Sequence, residues 1–365
     1  MSNYDVIVVG AGIVGAACSY FASAQGLRVA IVEPGPIGGG TTAAAMGHLV
    51  TMDDDPAELA LAQYSLGLWE ALTDLPQAEY RRCGTLWVAS NADEYARILP
   101  RLQQLAAAGV QAELIDAQQL YQLEPTLAPG LAGGMRVPGE AVVYPPGVAR
   151  HLVDTALARG AVLYRQRATH VADGNVTMDD RSRLSGNVLV ATGYALPQLL
   201  PQLPIRARKG HLVITDRHPG LISHQLLELG YADSAHGSDE SSVAFNVQPR
   251  ATGQILIGSS REFDATSTEA SIPMVRRMLA RSFRFIPALQ QLEAIRIWTG
   301  FRPTSIDGQP YLGRVPQQTN LWVAAGHEGL GITTSLGSAQ LLVDQLLGRT
   351  TAIDAQAYNP ARVFA

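Results

Sequence analysis

Cysteine is almost missing from this chain: Cys18 and Cys83 are its two cysteines in 365 residues. Cys18 falls inside a stretch read as the first helix, so a disulfide framework is excluded and a reducing cytoplasm is the expected compartment, with peripheral association at the inner face of the membrane left open. Lysine is scarcer still, with Lys209 the single one among 27 basic residues, an imbalance that has no functional meaning by itself. Basic clusters are lacking, and with a net charge of −5 this argues against nucleic acid as a partner. No Cys/His group has metal-ligand spacing, so no metal is expected. Tandem repeats and low-complexity tracts are also missing. The most apolar tract, residues 6–24, is interrupted by Gly10, Gly12 and Gly15 and preceded by Asp5 instead of a basic region. An ordinary strand follows it, which excludes a membrane span or a signal peptide.

What is present is a large apolar interior: 47% of residues are hydrophobic and 16% charged, the balance of a soluble globular protein. The length exceeds one compact core and predicts two domains, interleaved in sequence. Tyr4-Asp5-Val6-Ile7-Val8-Val9 reads as a buried strand, and Gly10-Ala11-Gly12-Ile13-Val14-Gly15 opens a helix closed by Gly26. Residues 28–32 form a second strand ending in Glu33. This is the G-x-G-x-x-G dinucleotide fingerprint in strand–turn–helix–strand context. Gly10 permits the tight turn, Gly12 lets the backbone approach a pyrophosphate, and Gly15 lets helix and strand pack closely. Glu33 is placed to accept hydrogen bonds from an adenosine ribose.

The run from Pro34 to His48, with Thr41, Thr42, Ala45, Met46 and Gly47, suits wrapping phosphates and admitting a flat ring. Asp55-Pro56-Ala57-Glu58 starts a helix, so the acidic run at 53–55 reads as capping and solvation. Further on, a strand is expected at 84–89, an amphipathic helix over 93–108, a short strand near Leu114 and a capped turn at Asp116-Ala117-Gln118-Gln119. From Pro145 the rhythm is α then β: a helix over 148–158, strands at 161–164 and 169–171, and a buried strand at 187–193 extending a parallel sheet. Between 206 and 298 the texture becomes alternating and strand-like, with one helix over 273–285, which predicts a second, antiparallel domain. Dinucleotide-domain character returns at 321–327, and Gly329-Leu330-Gly331 leads into a helix over 333–347.

Four segments occur together and in order: Val9-Gly10-Ala11-Gly12-Ile13-Val14-Gly15 with Glu33; Ala191-Thr192-Gly193; Trp298-Thr299-Gly300-Phe301-Arg302-Pro303 followed by residues 307–313; and Ala325-Gly326-His327 with Gly331. The set resembles the D-amino-acid oxidase family of FAD enzymes, which includes glycine oxidase, sarcosine oxidase and D-amino-acid dehydrogenases. The resemblance covers essentially the whole chain. Residues 47–54 look most like the dehydrogenases of D-proline or cis-4-hydroxy-D-proline. It implies an α/β protein of two domains: a discontinuous Rossmann-like FAD-binding domain (1–80, 141–204 and 300–365) and an interleaved antiparallel-sheet substrate domain (81–140 and 205–299).

The resemblance also implies roles. Gly10, Gly12, Ile13, Val14 and Gly15 would hold the FAD pyrophosphate, Glu33 the adenine ribose, Thr41 and Thr42 phosphate, and Val171 the adenine through its backbone. Gly326, Gly329, Leu330, Gly331, Ile332 and Thr333 would wrap the flavin's pyrimidine end, which favours FAD over NAD. Arg302 would fork onto a substrate carboxylate; the alternative is a structural arginine paired with Asp307. Glycine oxidases carry a tyrosine where this chain has Asn246 and an arginine where it has Gly329, so the substrate set is expected to differ. His48 would line the pocket or hydrogen-bond substrate, or else be structural, and Met46 would pack. Lys209 reads as a structural cation before a flavin partner, and His327 as serving loop geometry. Tyr231 and Tyr144 are aromatic candidates for the pocket. The expected reaction is oxidation of a D-amino acid, D-proline or cis-4-hydroxy-D-proline favoured, by hydride transfer from Cα to flavin N5 to give an imino acid. Alternatives are a glycine-, sarcosine- or opine-type amine oxidase, or a flavin-bearing electron-relay subunit of a hetero-oligomer. The electron acceptor would be oxygen, a quinone or a partner flavoprotein or iron–sulfur subunit, and the assembly a homo- or hetero-oligomer.

Overall fold

The computed structural model describes residues 2–52, 55–230, 241–263 and 265–364. Apolar strands with no polar face need cover on both sides, and the first sheet meets that need. Strand Ser2–Val9 lies at its centre, in the order Tyr311–Arg314, Leu321–Ala325, Arg183–Val190, Ser2–Val9, Val29–Val32, Val162–Tyr164. Pairings are parallel from Leu321–Ala325 through to Val162–Tyr164. Tyr311–Arg314 adds an antiparallel edge, and the hairpin Ala168–Ala172/Asn175–Met178 pairs onto Arg183–Val190. Helices Ile13–Ala24, Pro145–Ala158 and Ser335–Leu346 cover one face, burying Ala16, Ala17, Leu152, Val153, Leu341 and Leu342. The opposite face buries Val171, Leu184, Leu196, Leu200 and Tyr311.

The second sheet also has eight strands, in the order Ala294–Thr304, Arg206–Arg217, Gln254–Arg261, Ser242–Pro249, Gln225–Glu228, Thr85–Ala89, Gly133–Val137, Glu113–Asp116. All its pairings are antiparallel except Gln225–Glu228 with Thr85–Ala89. Helix Ile272–Phe285, capped by Ser271, packs over it through Val275, Met278 and Phe285, the last stacked on Phe245 at 4.3 Å between ring centroids. Both halves match the expected mixed α/β architecture.

Local chemistry explains where elements start and stop. Asp55 accepts from the N–H groups of Ala57 and Glu58 with Pro56 next to it, and Asp116 and Gln119 form a reciprocal capping box. Three boundaries differ from expectation. The helix expected over 93–108 is two helices, Ala92–Ala96 and Ile98–Ala107, because Pro100 is tolerated only in a first turn and forces a restart. The last helix begins at Ser335, because the Thr333 hydroxyl is tied to Val50 N–H and His48 O, and its carbonyl to Ser65 and Trp69. Strand Ala294–Thr304 runs through the Trp298–Pro303 motif, pairing with Arg206–Arg217 up to Thr304↔Arg206. A boundary at 299/300 therefore cuts a continuous strand.

Candidate active site

One cavity of about 590 Å³ runs between the two sheets. Its first end is the turn after Ser2–Val9. There Gly10 has φ +104°, and a Cβ on it would stand 2.5 Å from Ala191 O. A Cβ on Gly15 would stand 2.0 Å from Gly10 O, so only glycine lets the helix start this close to the turn. Gly12 is the N-cap of Ile13–Ala24 and supplies no side-chain cap, leaving the positive end of the helix dipole at the cavity. Glu33 accepts from Ala11 N–H at 2.9 Å and from Gly35 N–H at 2.8 Å, which fixes its carboxylate beside the turn. Thr42 Oγ1 accepts from Ile13 N–H at 2.9 Å, and the Thr41 hydroxyl donates to Phe301 O at 2.8 Å. Both threonines thus hold the 38–48 loop in place as well as lining the cavity.

The middle of the cavity is bounded by Ala191, Thr192 and Gly193 on one side and Ala45, Met46 and Gly47 on the other. Gly47 has φ +87° and no room for a Cβ, which would lie 2.2 Å from Val143 O. Gln248 Nε2 donates to Met46 O at 2.5 Å, tying this loop to the second sheet.

At the far end stand His48, Gly329, Gly331, Ile332 and Arg302. The guanidinium of Arg302 crosses the neighbouring strand and donates from Nη1 to Ser260 O at 3.1 Å. It can do so because residue 210 is glycine: a Cβ there would lie 2.7 Å from Nη1 and 2.8 Å from Nη2. Asp307, the alternative partner, is held by Arg362 at 2.6 Å. His48 Nε2 donates to Gly329 O at 3.3 Å, so a neutral ring leaves Nδ1 as an acceptor. Burial first, and the charge of Arg302 next, push its imidazole down to about 4. Glu328, with φ +40°, lies beside Arg208 at 3.4 Å. Burial raises the Glu328 carboxyl, but Arg302, Arg261 and Arg208 outweigh it and hold the group below the usual range. Gly210→Ala is expected to displace the Arg302 guanidinium rather than unfold the sheet, because the obstacle is the end of a flexible side chain. It should raise KM with FAD content unchanged, and an unaltered KM would contradict that role for Gly210.

Several expected residues lie off the cavity. Asn246 is buried in strand Ser242–Pro249, one strand beyond Gln254–Arg261, and is not a lining residue. Val171 faces the core beneath the sheet, while Arg167, Ala168 and Thr169 line the cavity in its place. Gly326, Leu330 and Thr333 shape the C-terminal loop from behind, and Thr333 positions the backbone of His48. Lys209 donates to Glu269 O at 2.6 Å and is likewise not a lining residue. His327 lines the cavity and hydrogen-bonds Ser338 Oγ at 3.0 Å, whereas Tyr144 is an exposed side chain beneath Arg250. Tyr231 lies outside the described residues. Arg261, Glu328 and Ser259 line the cavity without having been singled out. The available signal was a strand pattern continuing past Ile257 into Gly258-Ser259-Ser260-Arg261, a charge at the end of a buried strand.

Three histidines, His48, His211 and His327, are pushed down to about 4, burial being the first cause in each. The unfolded chain protonates them below about pH 6.5, so between about 6.5 and 4 it binds more protons than the folded protein. Stability should therefore fall as pH is lowered through that window, with no such loss above it. The urea midpoint is expected to drop from pH 7 to pH 5, less steeply in His327→Gln; a flat profile would contradict the burial of these rings.

The residues fit FAD. The first helix opens uncapped by its own side chains at one end, Thr192 Oγ1 is buried at mid-cavity with no partner among the described residues, and small residues flank that passage. Among the described residues no group of three metal-ligating side chains occurs, and no helix is long and apolar enough to cross a membrane. The FAD dependent oxidoreductase (DAO) profile matches residues 5–345. Glycine oxidase from Pseudomonas aeruginosa is 29% identical over 386 residues, covering 98% of each chain. Glycine oxidase from Geobacillus kaustophilus is 27% identical over 387 residues, covering 99% of this chain and 97% of the relative. The crystal structure of glycine oxidase from that organism superposes with a TM-score of 0.88 at 26% identity, covering 99% of both chains. With the profile spanning nearly the whole chain and the cavity built to receive its cofactor, the protein belongs to the DAO family of FAD-dependent oxidoreductases, acting on amine donors.

Proposed function

We propose that this protein oxidises a small α-amino acid of the glycine type, free or N-substituted, to the corresponding imino acid. FAD, when bound, supplies the two-electron acceptor for the Cα hydrogen and its bonding pair. Arg302 carries the reading. A planar guanidinium held flat over Gly210 presents two parallel donors, which fix a carboxylate and with it the direction of the adjoining Cα–H bond. His48, neutral above about pH 4, adds an acceptor without a charge that would repel the amine. The walls around Met46, Leu212 and Ile332 exclude water. Among the described residues at this end, the carboxylate of Glu328 is held by arginines rather than by His48, in keeping with a substrate that reacts as the neutral amine. Released imino acid hydrolyses in water to a 2-oxo acid and ammonia, or to a 2-oxo acid and an amine where the nitrogen is substituted. The names of the relatives favour oxygen as the acceptor.

We read the first sheet with its helices as the FAD-binding domain and the second as the substrate domain, meeting along the strand Ala294–Thr304 that carries Arg302. Oxidation of D-proline or cis-4-hydroxy-D-proline is a second reading, supported by Gly329 on the cavity wall, at the position where the family resemblance gives glycine oxidases an arginine. The test is product analysis of the FAD-loaded chain with glycine, sarcosine, D-alanine, D-proline and cis-4-hydroxy-D-proline in air. Glyoxylate from glycine or sarcosine is the expected result. A pyrroline product alone would favour the second reading, and no product with any of them would count against both.

A further inference from the structure

Behind the Arg302 guanidinium lies a buried pair of side chains that the reading above does not use. The ladder between Arg206–Arg217 and Gln254–Arg261 stops at Val213↔Ile257 and resumes at the isolated bridge Lys209↔Glu262. Residues 258–261 therefore stand opposite 210–212, one residue more on one strand than on the other. This is a β-bulge, a device that bends a strand and turns its groups off the ladder. The bulge supplies Ser259 and Arg261 to the cavity wall and the carbonyl of Ser260 to Arg302. At its centre the N–H of His211 is taken by a side chain, donating to Ser260 Oγ at 2.9 Å. The His211 ring closes on the same oxygen, with Nδ1 at 2.8 Å. Its tautomer follows from the other side of the ring. Nε2 accepts the N–H of Ser271 at 2.9 Å, so the neutral imidazole carries its proton on Nδ1 and donates it to Ser260. Glu262 Oε2, at 3.7 Å from Nδ1, is beyond hydrogen-bond distance. Both His211 and Ser260 are fully buried, so water does not compete for these bonds.

We propose that His211 and Ser260 are positioning residues for the carboxylate site. Two donors from His211 pin the Ser260 hydroxyl, and pinning it fixes the carbonyl of the same residue, on which Arg302 Nη1 rests at 3.1 Å. Gly210 opens the path for the guanidinium, and the His211–Ser260 pair sets where it stops. This deepens the glycine-type reading and rests on Arg302 as the anchor of the α-carboxylate. The rival role for His211 is to tie down the start of helix Ile272–Phe285 through Ser271, with no bearing on the cavity.

Binding of methoxyacetate, an inert monocarboxylate, to the oxidised, FAD-loaded protein separates the two roles. Titrations are followed by perturbation of the flavin absorption band, beside flavin content and the urea midpoint of each variant. Ser260→Ala removes the pinned hydroxyl, and His211→Gln keeps an acceptor near the place of Nε2 while losing the donor at Nδ1. Both should bind methoxyacetate ~5- to 50-fold more weakly than the wild type, with flavin content unchanged. His211→Asn, which puts an amide N–H near the place of Nδ1, should restore most of that loss although it gives up the bond to Ser271. The opposite order, Gln retaining affinity and Asn losing it, would assign His211 to the helix tie and overturn the proposal. So would equal effects of Gln and Asn, unaltered binding in Ser260→Ala, or a loss of affinity that merely follows loss of flavin. Arg302→Ala separates this from the underlying reading: if it binds methoxyacetate as tightly as the wild type, the carboxylate assignment of Arg302 itself falls, and the positioning role with it.

Discussion

Arg302→Ala is expected to lower kcat/KM by about 10²- to 10⁴-fold while the purified protein stays yellow, the sum of two charge-assisted hydrogen bonds to a carboxylate. Retention of FAD follows from the residues that would hold it being spread along the cavity, from Gly12 and Glu33 to Gly331. Arg302 contributes to the far end alone. The loss should fall on both KM and kcat, since on the proposed reading the same two bonds would hold the substrate and orient its Cα–H. Arg302→Lys keeps the charge without the fork and should recover binding better than turnover. Steady-state kinetics beside the flavin absorbance of each variant check this. A near-normal kcat/KM in Arg302→Ala would remove the carboxylate assignment.

Gly15→Ala should be among the most damaging single methyls in the described residues. Its Cβ would lie 2.0 Å from Gly10 O, backbone against backbone, with no flexible group to give way. Relief requires either moving the first helix off the central strand or reshaping the Gly10 turn, and both destroy the opening at the helix N-terminus. The expected outcome is protein without FAD, destabilised by about 1–3 kcal/mol or more. Gly12→Ala is the control: its Cβ meets only Thr42 Oγ1, at 3.3 Å, so the fold should survive and FAD affinity alone should weaken. Flavin content and the urea midpoint of both variants separate the two effects. Equal behaviour would mean that the clash at Gly15 is absorbed elsewhere.

Much of this architecture was legible in the residues, for identifiable reasons. The Gly10–Gly12–Gly15 turn could be read because its chemistry is local: each glycine answers a steric demand from residues a few positions away or from the strand beside it. Arg302 could be read because it sits in a compact motif whose neighbours, Gly300 and Phe301, also line the cavity. Arg261 could not, since its position depends on strand order, which brings Gln254–Arg261 beside Arg206–Arg217 and within reach of the Arg302 side chain. Asn246 failed for the same reason in reverse. Its sequence position suggested the pocket, and the register places it one strand farther away. The helix break at Arg97 and the late start at Ser335 show a local rule and a tertiary hydrogen bond, respectively, overriding periodicity.

Anaerobic mixing of the FAD-loaded protein with glycine and with sarcosine, followed at the flavin absorption band, addresses the central claim most directly. The account predicts bleaching of the wild-type flavin by at least one of them, slowed by a primary isotope effect when Cα carries deuterium. Bleaching should be nearly abolished in Arg302→Ala at the same substrate concentration. Flavin that stays oxidised with both amines, or that bleaches equally fast without the arginine, would contradict it.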